Sequence, residues 1–236
     1  MSHLSTSNRL LSALPHDELD ILRPHLRPVS FKPGETVAEQ GDIVTHCYFP
    51  TKGMVSLLAV TEQGLTVEVA YTGREGMVGL SAALGPKETL YQWMAQAETE
   101  CLAADARLIF ELFNRKNDFH DRLLEYLYAL LKQLSQTCVC NHFHTIEERL
   151  SRWLTVMSER SEKNRLALTH EFLAHMLGVQ RTSIGLVANA MQSAGIIRYS
   201  RGIVEIKDHE RLKDSACECY TIVNDTYKDL FRNGST

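Results

Sequence analysis

Between Val29 and Asp105 the chain is never allowed to run far in one direction. Short β-rich runs (VSF, ETVAEQ, HCYFP, GMVSLLAV, LTVEVAY, LYQWMAQAE and ECLAAD) are separated by Lys32-Pro33-Gly34, Gly41-Asp42, Lys52-Gly53, Glu62-Gln63-Gly64 and a glycine-rich stretch beginning at Gly73. Strands this short, with turn residues this regular, predict an all-β sandwich or barrel-like domain. Ahead of it, leucines at 10, 11, 14, 19 and 22 predict one or two short amphipathic helices broken near Pro15 and stopped by Pro24 and Pro28.

Helical spacing takes over at Asp118. Leu123, Leu127, Leu130, Leu134 and Thr137 recur at alternating intervals of four and three, the rhythm of a coiled-coil seam, and are expected to form the interface of a homodimer. Tyr126 and Leu131 widen the stripe towards the β-rich region. After His144 the run TIEERLSRWLTVMSER reads as a further helix with Ile146, Leu150, Trp153, Leu154 and Met157 on one face, ended by SEKN.

With 236 residues the chain has room for two domains. Hydrophobic and charged contents of 44% and 23% suit a globular protein, and no apolar run approaches the roughly 20 residues that span a bilayer, so a cytoplasmic protein without a membrane partner is expected. The net charge of −4 is uneven: residues 1–140 carry 12 Lys and Arg against 17 Asp and Glu, and residues 141–236 carry 13 against 12. The second part is the better match for a polyanion.

Residues 168–206 are the most informative. Thr169 followed by Glu171 and Phe172 starts a helix with a capping hydroxyl and an acid in its first turn. Gly178 supplies the positive φ that turns the chain, and Val179 plugs the corner. A second helix from about Gln180 to Ser193 leads with Gln-Arg-Thr-Ser while Ile184, Val187, Ala188 and Met191 recur at inward spacing. A docked apolar face and a polar leading end are what a helix entering a major groove needs. Ile196 to Ile206 then reads as two strands about a turn, a wing with Arg198 and Arg201 placed to meet phosphates.

The stretch Leu168 to Ile184 follows the extended motif LT-x-E-x-[LI]-A-x-x-[LV]-G-V-x-R-x-S/T-V nearly throughout, and in it the chain resembles the CRP/FNR superfamily of bacterial transcription regulators. Pro33 to Asp42, PGETVAEQGD, is similar to a turn-strand-turn signature of that superfamily's sensor domain. The implied fold class is α+β: an N-terminal cyclic-nucleotide-binding-type β-roll (a double-stranded β-helix), a long dimerisation helix and a C-terminal winged helix-turn-helix. Expected boundaries are 1–113 for the roll, 114–144 for the helix and a hinge near Asn141–Thr145, 145–213 for the winged domain and 214–236 for a terminal helix.

The resemblance places Arg181 at the base-reading arginine, whose guanidinium can donate to guanine O6 and N7 together. Thr182 stands where many relatives carry a glutamate, and Leu186 where some carry a second arginine, so the operator sequence is left open. Ser183, Thr169 and Gln180 are further expected contacts. In cyclic-AMP-binding members a glutamate just after the second glycine and a later Arg-Ser hold the ribose and phosphate. Here Gly76-Met77-Val78-Gly79 matches the glycine frame, but Leu80 sits at the acid position, and Glu88-Thr89-Leu90-Tyr91 covers the Arg-Ser position with no arginine between Arg74 and Arg107. A desolvated phosphate needs a paired cation, so cyclic AMP is not expected. Gly76, Gly79, Leu80, Leu84, Tyr91 and Trp93, with Met94, are the candidate lining of a pocket for a more apolar effector of unknown identity.

Six cysteines without a CxxC pair are expected to be reduced thiols. On a continuous helix Cys138/His142 and Cys140/His144 occupy different faces, so one ion could not gather all four. Cys217 and Cys219 fall on an expected helix over 208–231, again on separate faces, and no metal and no cofactor are expected. Ser56, Ser81, His46 and Asp42 form no catalytic motif, so the chain is not expected to be an enzyme. The expected partners are double-stranded DNA, a second copy of the chain, and, by resemblance, RNA polymerase. The competing reading is a ligand-binding signalling module that regulates a protein partner.

Overall fold

The computed structural model describes residues 6–231; the expectations for residues 1–5 and 232–236 lie outside it. Two short helices, α1 (Arg9–Ser12) and α2 (His16–Leu22), come first. Their Leu10, Leu11 and Leu22 are buried, and Asn8 closes the start of α1 by accepting from Leu11 N at 3.0 Å. Seven strands follow, one in each predicted run: β1 (Arg27–Phe31), β2 (Thr36–Ala38), β3 (His46–Lys52), β4 (Val55–Val60), β5 (Thr66–Thr72), and, after the short helix α3 (Leu80–Leu84), β6 (Gln92–Ala95) and β7 (Thr99–Asp105). They form two antiparallel sheets, β1-β7-β3 and β2-β6-β4-β5. Phe49, Met54, Leu58, Trp93 and Ala95 fill the space inside the roll.

Helix α4 (Ala106–Phe113) leads into α5 (Asp118–Phe143). Asn117, in the N-cap position of α5, makes no side-chain cap. The carboxylate of Glu18 on α2 takes that role, accepting from Phe119 N at 2.7 Å and Asp118 N at 3.2 Å. One acid so satisfies two donors that the helix itself leaves orphaned. α5 then lies on β5, where Tyr126 meets Thr72 Oγ1 at 2.8 Å and donates to the Met77 carbonyl at 3.0 Å.

At His144 the backbone becomes extended, and Thr145 with Glu148 forms a reciprocal capping box that starts α6 (Ile146–Ser161). The sequence shows one apolar face on α6, yet every residue from Arg149 to Ser158 is buried, because the helix packs on the helices that follow and sets Arg152 and Arg160 against Glu68 and Glu75 of the sensor domain. Next come β8 (Arg165–Ala167), α7 (His170–Leu177), α8 (Arg181–Ser193), β9 (Ile197–Ser200) and β10 (Ile203–Ile206), with β8-β10-β9 as a three-stranded antiparallel wing. β8 was not expected; three residues after a helix stop carry no period of their own, and pairing with β10 defines them.

The expected single helix over 208–231 is two helices, α9 (His209–Asp214) and α10 (Cys219–Leu230). α9 stops at Ser215, and the chain turns through Ala216 and Cys217 before α10 returns along α5. There the Tyr227 hydroxyl and the Gln133 amide lie 2.9 Å apart.

Glu68 on β5 is buried beneath α6, where Ser56 donates to it and Arg152 lies close. Burial is the strongest influence and raises its pKa in spite of both. The folded state therefore keeps this proton to a higher pH than the unfolded chain. The group lowers stability as pH rises from the ordinary 4.5 to the raised folded value, and above that the loss is constant. Glu68→Gln is expected to remove the part of the gain in unfolding midpoint that the native protein shows on acidification through that window. Midpoints of both proteins measured across the window test this, and parallel curves would refute it.

Candidate nucleic-acid interface and sensor cavity

The reading head is assembled as its residue pattern dictates. Thr169 caps α7 by accepting from Phe172 N at 3.1 Å. Gly178 takes φ +61°, and Val179 N returns to the Ala174 carbonyl at 3.0 Å, closing the corner. Leu173, Ala174, Met176 and Leu177 of α7 meet Ile184, Ala188 and Met191 of α8 in the core.

This docking leaves the leading end of α8 free. Arg181 is the first residue of the helix, its side chain is 71% exposed, and its nearest carboxylate is Glu171 Oε2 at 4.0 Å. Gln180 sits exposed in the N-cap position with no side-chain cap bond, Thr182 is exposed and Ser183 is half-buried. Leu186 is 74% exposed, an apolar group on an otherwise polar surface. Such a group suits contact with a thymine methyl better than a phosphate.

The wing turns in two residues, Arg201 (φ +51°) and Gly202 (φ +74°), so that Ser200 pairs with Ile203. Left-handed conformations at both central positions match the twist of a tight hairpin, and the arginine is held at its tip. Arg181, Thr169 and Arg201 border one shallow concavity with His170, Glu171, Tyr199 and Gly202. A neighbouring concavity gathers Arg198 and Arg201 with Arg165, Lys207, Ser200, Ile203 and Glu205. Sequence reasoning missed Arg165, whose place beside the wing depends on β8, and Lys207, the residue that follows β10. It also missed the stack of His170 on Tyr199, with ring centroids 4.1 Å apart, which ties α7 to β9. The His170 pKa is lowered, first by burial and then by Arg181.

In the sensor, a cavity of about 200 Å³ opens between the roll, α3 and α5. Gly79, Leu80, Leu84, Tyr91 and Trp93 line it, together with Leu57, Met77, Val78, Ser81, Pro86, Thr89, Leu90 and, from α5, Leu127, Leu130, Leu131 and Leu134. None of these is cationic. Two expected members are elsewhere: Met94 does not line the cavity, and Gly76 lies against the ring of Tyr126, where the missing side chain makes room for the aromatic.

The expected dimer seam lies only partly on the surface of the chain. Leu123, Leu130 and Thr137 are buried within the chain, and Leu123 at 0% exposure leaves no surface for a second copy. Leu127 and Leu134 are half-buried. The apolar side chains that α5 leaves open are Leu124, Tyr128, Leu131, Val139 and Phe143. The open apolar edge of α5 is offset from the predicted seam because the β domain and α10 pack on the adjacent edge.

Comparisons with known proteins agree with this architecture. The profile of the cyclic nucleotide-binding domain matches residues 28–116, and that of the Crp-like helix-turn-helix domain matches residues 148–215. Together they cover more than half of the chain. The chain belongs to the CRP/FNR superfamily. It is therefore a transcription regulator with a helix-turn-helix DNA-binding domain, built on the cyclic-nucleotide-binding roll and long helix of that superfamily. The cyclic AMP receptor protein of Thermus thermophilus is 22% identical over 207 residues, which cover 88% of this chain and 96% of that protein. FixK2 from Bradyrhizobium japonicum has the same fold, with a TM-score of 0.67 at 14% identity over 81% of this chain and 98% of that one. So does a CRP-family transcriptional regulator from Thermus thermophilus, with a TM-score of 0.66 at 17% identity over 80% and 96% of the two chains. Among the described residues no helix is long and apolar enough to cross a membrane.

Proposed function

We propose that the protein reads a pseudo-palindromic operator as a homodimer, with α8 of each copy in a major groove and the wing on the flanking phosphates. The observation that carries this reading is the exposed guanidinium of Arg181 at the tip of α8, in one concavity with Arg201 of the wing. The exposed apolar edge of α5 is the surface on which two copies would pair, placing the recognition helices about 34 Å apart, one turn of duplex. The segments 1–113, 114–144, 145–213 and 214–236 act as sensor, dimer helix with hinge, reading head and terminal helix. The hinge is the extended residue His144 before the capped start of α6. Contact with RNA polymerase and action in the cytoplasm follow from this role; no catalytic step is assigned.

The sensor cavity is proposed to take an apolar effector rather than cyclic AMP. Its lining offers no cation to a cyclic phosphate, and Leu80 and Leu84 occupy the space with hydrocarbon. An effector acts by binding one arrangement of the two heads better than another. Calorimetric titration with cyclic AMP is expected to show no binding; micromolar affinity would overturn this part.

Selection of bound sequences from a random duplex pool tests the DNA reading. Two half-sites one helical turn apart are expected, with affinity falling steeply as salt rises. Arg181→Ala should cost about 1–3 kcal/mol and relax one base position in each half-site, whereas Arg198→Ala should weaken all sequences alike and reduce the salt slope by about 1. Binding that ignores salt would instead favour a protein-docking role.

A further inference from the structure

Outside the reading head and the sensor cavity, one cluster of side chains has no part in either. The turn between α9 and α10 brings Cys217 and Cys219 against the last turn of α5, where Cys140 and His144 stand one helical turn apart. The ligand atoms of these four residues all lie within 4.8 Å of one another. Cys140 and Cys217 have their sulfurs 3.5 Å apart, and Cys219 Sγ is 3.4 Å from His144 Nδ1. The three cysteines are buried, and His144 is the half-buried member at the edge.

We propose that Cys140, His144, Cys217 and Cys219 bind a single zinc-class divalent ion that fastens the end of α5 to the start of α10. Three thiolates and one imidazole are a closed structural zinc set. Bonds of about 2.3 Å to sulfur and 2.0–2.1 Å to nitrogen place tetrahedral ligands roughly 3.5–3.8 Å apart, so the observed pairs need only small side-chain rotations to close on an ion. An iron–sulfur cluster, with bridging sulfides between its irons, would hold the thiolates farther apart than this set stands.

The surroundings support the assignment independently. His144 turns Nδ1 to the cluster and Nε2 to the Glu218 carboxylate at 3.2 Å, the carboxylate–histidine arrangement that fixes a metal-binding ring and its tautomer. Gln136 Nε2 donates to Cys219 Sγ at 3.1 Å. Three thiolates around a divalent cation leave one negative charge, and Arg149 and Arg152 both interact electrostatically with Cys140 and Cys217. Their Nε atoms are buried and find no hydrogen-bond partner among the described residues.

The sequence hid this site for two reasons. Of the near-regular Cys and His pattern on α5, only Cys140 and His144 face inward, while Cys138 is exposed. The other two ligands, Cys217 in the turn and Cys219 at the first residue of α10, converge only because the chain breaks where a continuous helix was expected.

The test uses full-length protein purified under reducing conditions without a metal-affinity step. Elemental analysis is expected to find about one zinc per chain, and exchange into Co²⁺ to give the intense visible bands of tetrahedral thiolate coordination. Cys140→Ser and Cys217→Ser should lose those bands, and Cys138→Ser should keep them. Should a serine variant fail to fold, Cys219→His, which retains a ligand, should keep the cobalt bands with a weaker sulfur charge transfer. Failure to take up added Zn²⁺, an octahedral cobalt spectrum, bands that survive Cys140→Ser in folded protein, or a mass short by a pair of hydrogens with no metal, the mark of a Cys140–Cys217 disulfide, would each overturn the proposal.

Discussion

Arg160→Met is expected to lower the unfolding free energy by about 3–5 kcal/mol, the cost of leaving a buried charge without its partner. Arg160, near the end of α6, is paired with Glu75 in the loop after β5, and the Glu75 side chain is only 2% exposed. Glu75 also accepts from Gly73 N at 3.0 Å, and the guanidinium stands over the ring of Tyr71 at 5.8 Å. Burial alone would pull the Arg160 pKa down; Glu75 first and Tyr71 second outweigh it and raise it. Methionine keeps the volume and removes the charge, so the loss should come almost wholly from Glu75. The double variant Arg160→Met/Glu75→Gln should recover most of it, because the stranded charge is gone. Denaturant unfolding at one fixed protein concentration measures the cycle, and a double variant no better than the single one would show that packing, not charge, binds this corner.

The second large effect is expected at Gly76. A methyl group added there would fall within the ring of Tyr126, which is fully buried and cannot swing aside because its hydroxyl is held by Thr72 and the Met77 carbonyl. The Gly76 carbonyl is held in turn by Asn8 Nδ2 at 2.9 Å. Gly76→Ala should destabilise at the upper end of the roughly 1–3 kcal/mol typical of overpacked cores. Combined with Tyr126→Leu, which vacates the space, its added cost should fall to near zero. Additive losses in the two variants would mean that the clash is relieved elsewhere.

Gly76 shows where the sequence was informative and where it was not. Its glycine frame correctly marked a turn in the roll, but whether a missing side chain faces a ligand or a neighbouring ring depends on how α5 docks, and nothing local encodes that. Elements with a strong period were legible: each short strand, α5, and the α7-turn-α8 unit whose glycine, cap and inward residues all pointed to one answer. Which apolar edge of α5 faces inward was not, because Leu123 and Leu124 are both apolar and the β domain and α10, distant in sequence, make the choice. The buried polar residues of α6 read as a solvated face for the same reason. Arg149 donates to the Leu177 carbonyl and Arg160 pairs with Glu75, partners far away along the chain. The break at Ala216 carries neither glycine nor proline, so a helix was expected to run through it.

The corner of the helix-turn-helix rests on the sensor itself. Val67 of β5 fits so closely beneath Gly178 that a methyl there would stand 3.0 Å from its Cγ2, and Gln96 donates to Met176 Sδ at 3.1 Å. Chimaeras that graft a foreign sensor onto this reading head would therefore inherit an unmatched underside, even with the long helix spliced in perfect register. The two modules are not interchangeable cassettes, and a working hybrid would have to carry the Val67 and Gln96 patch along with the graft.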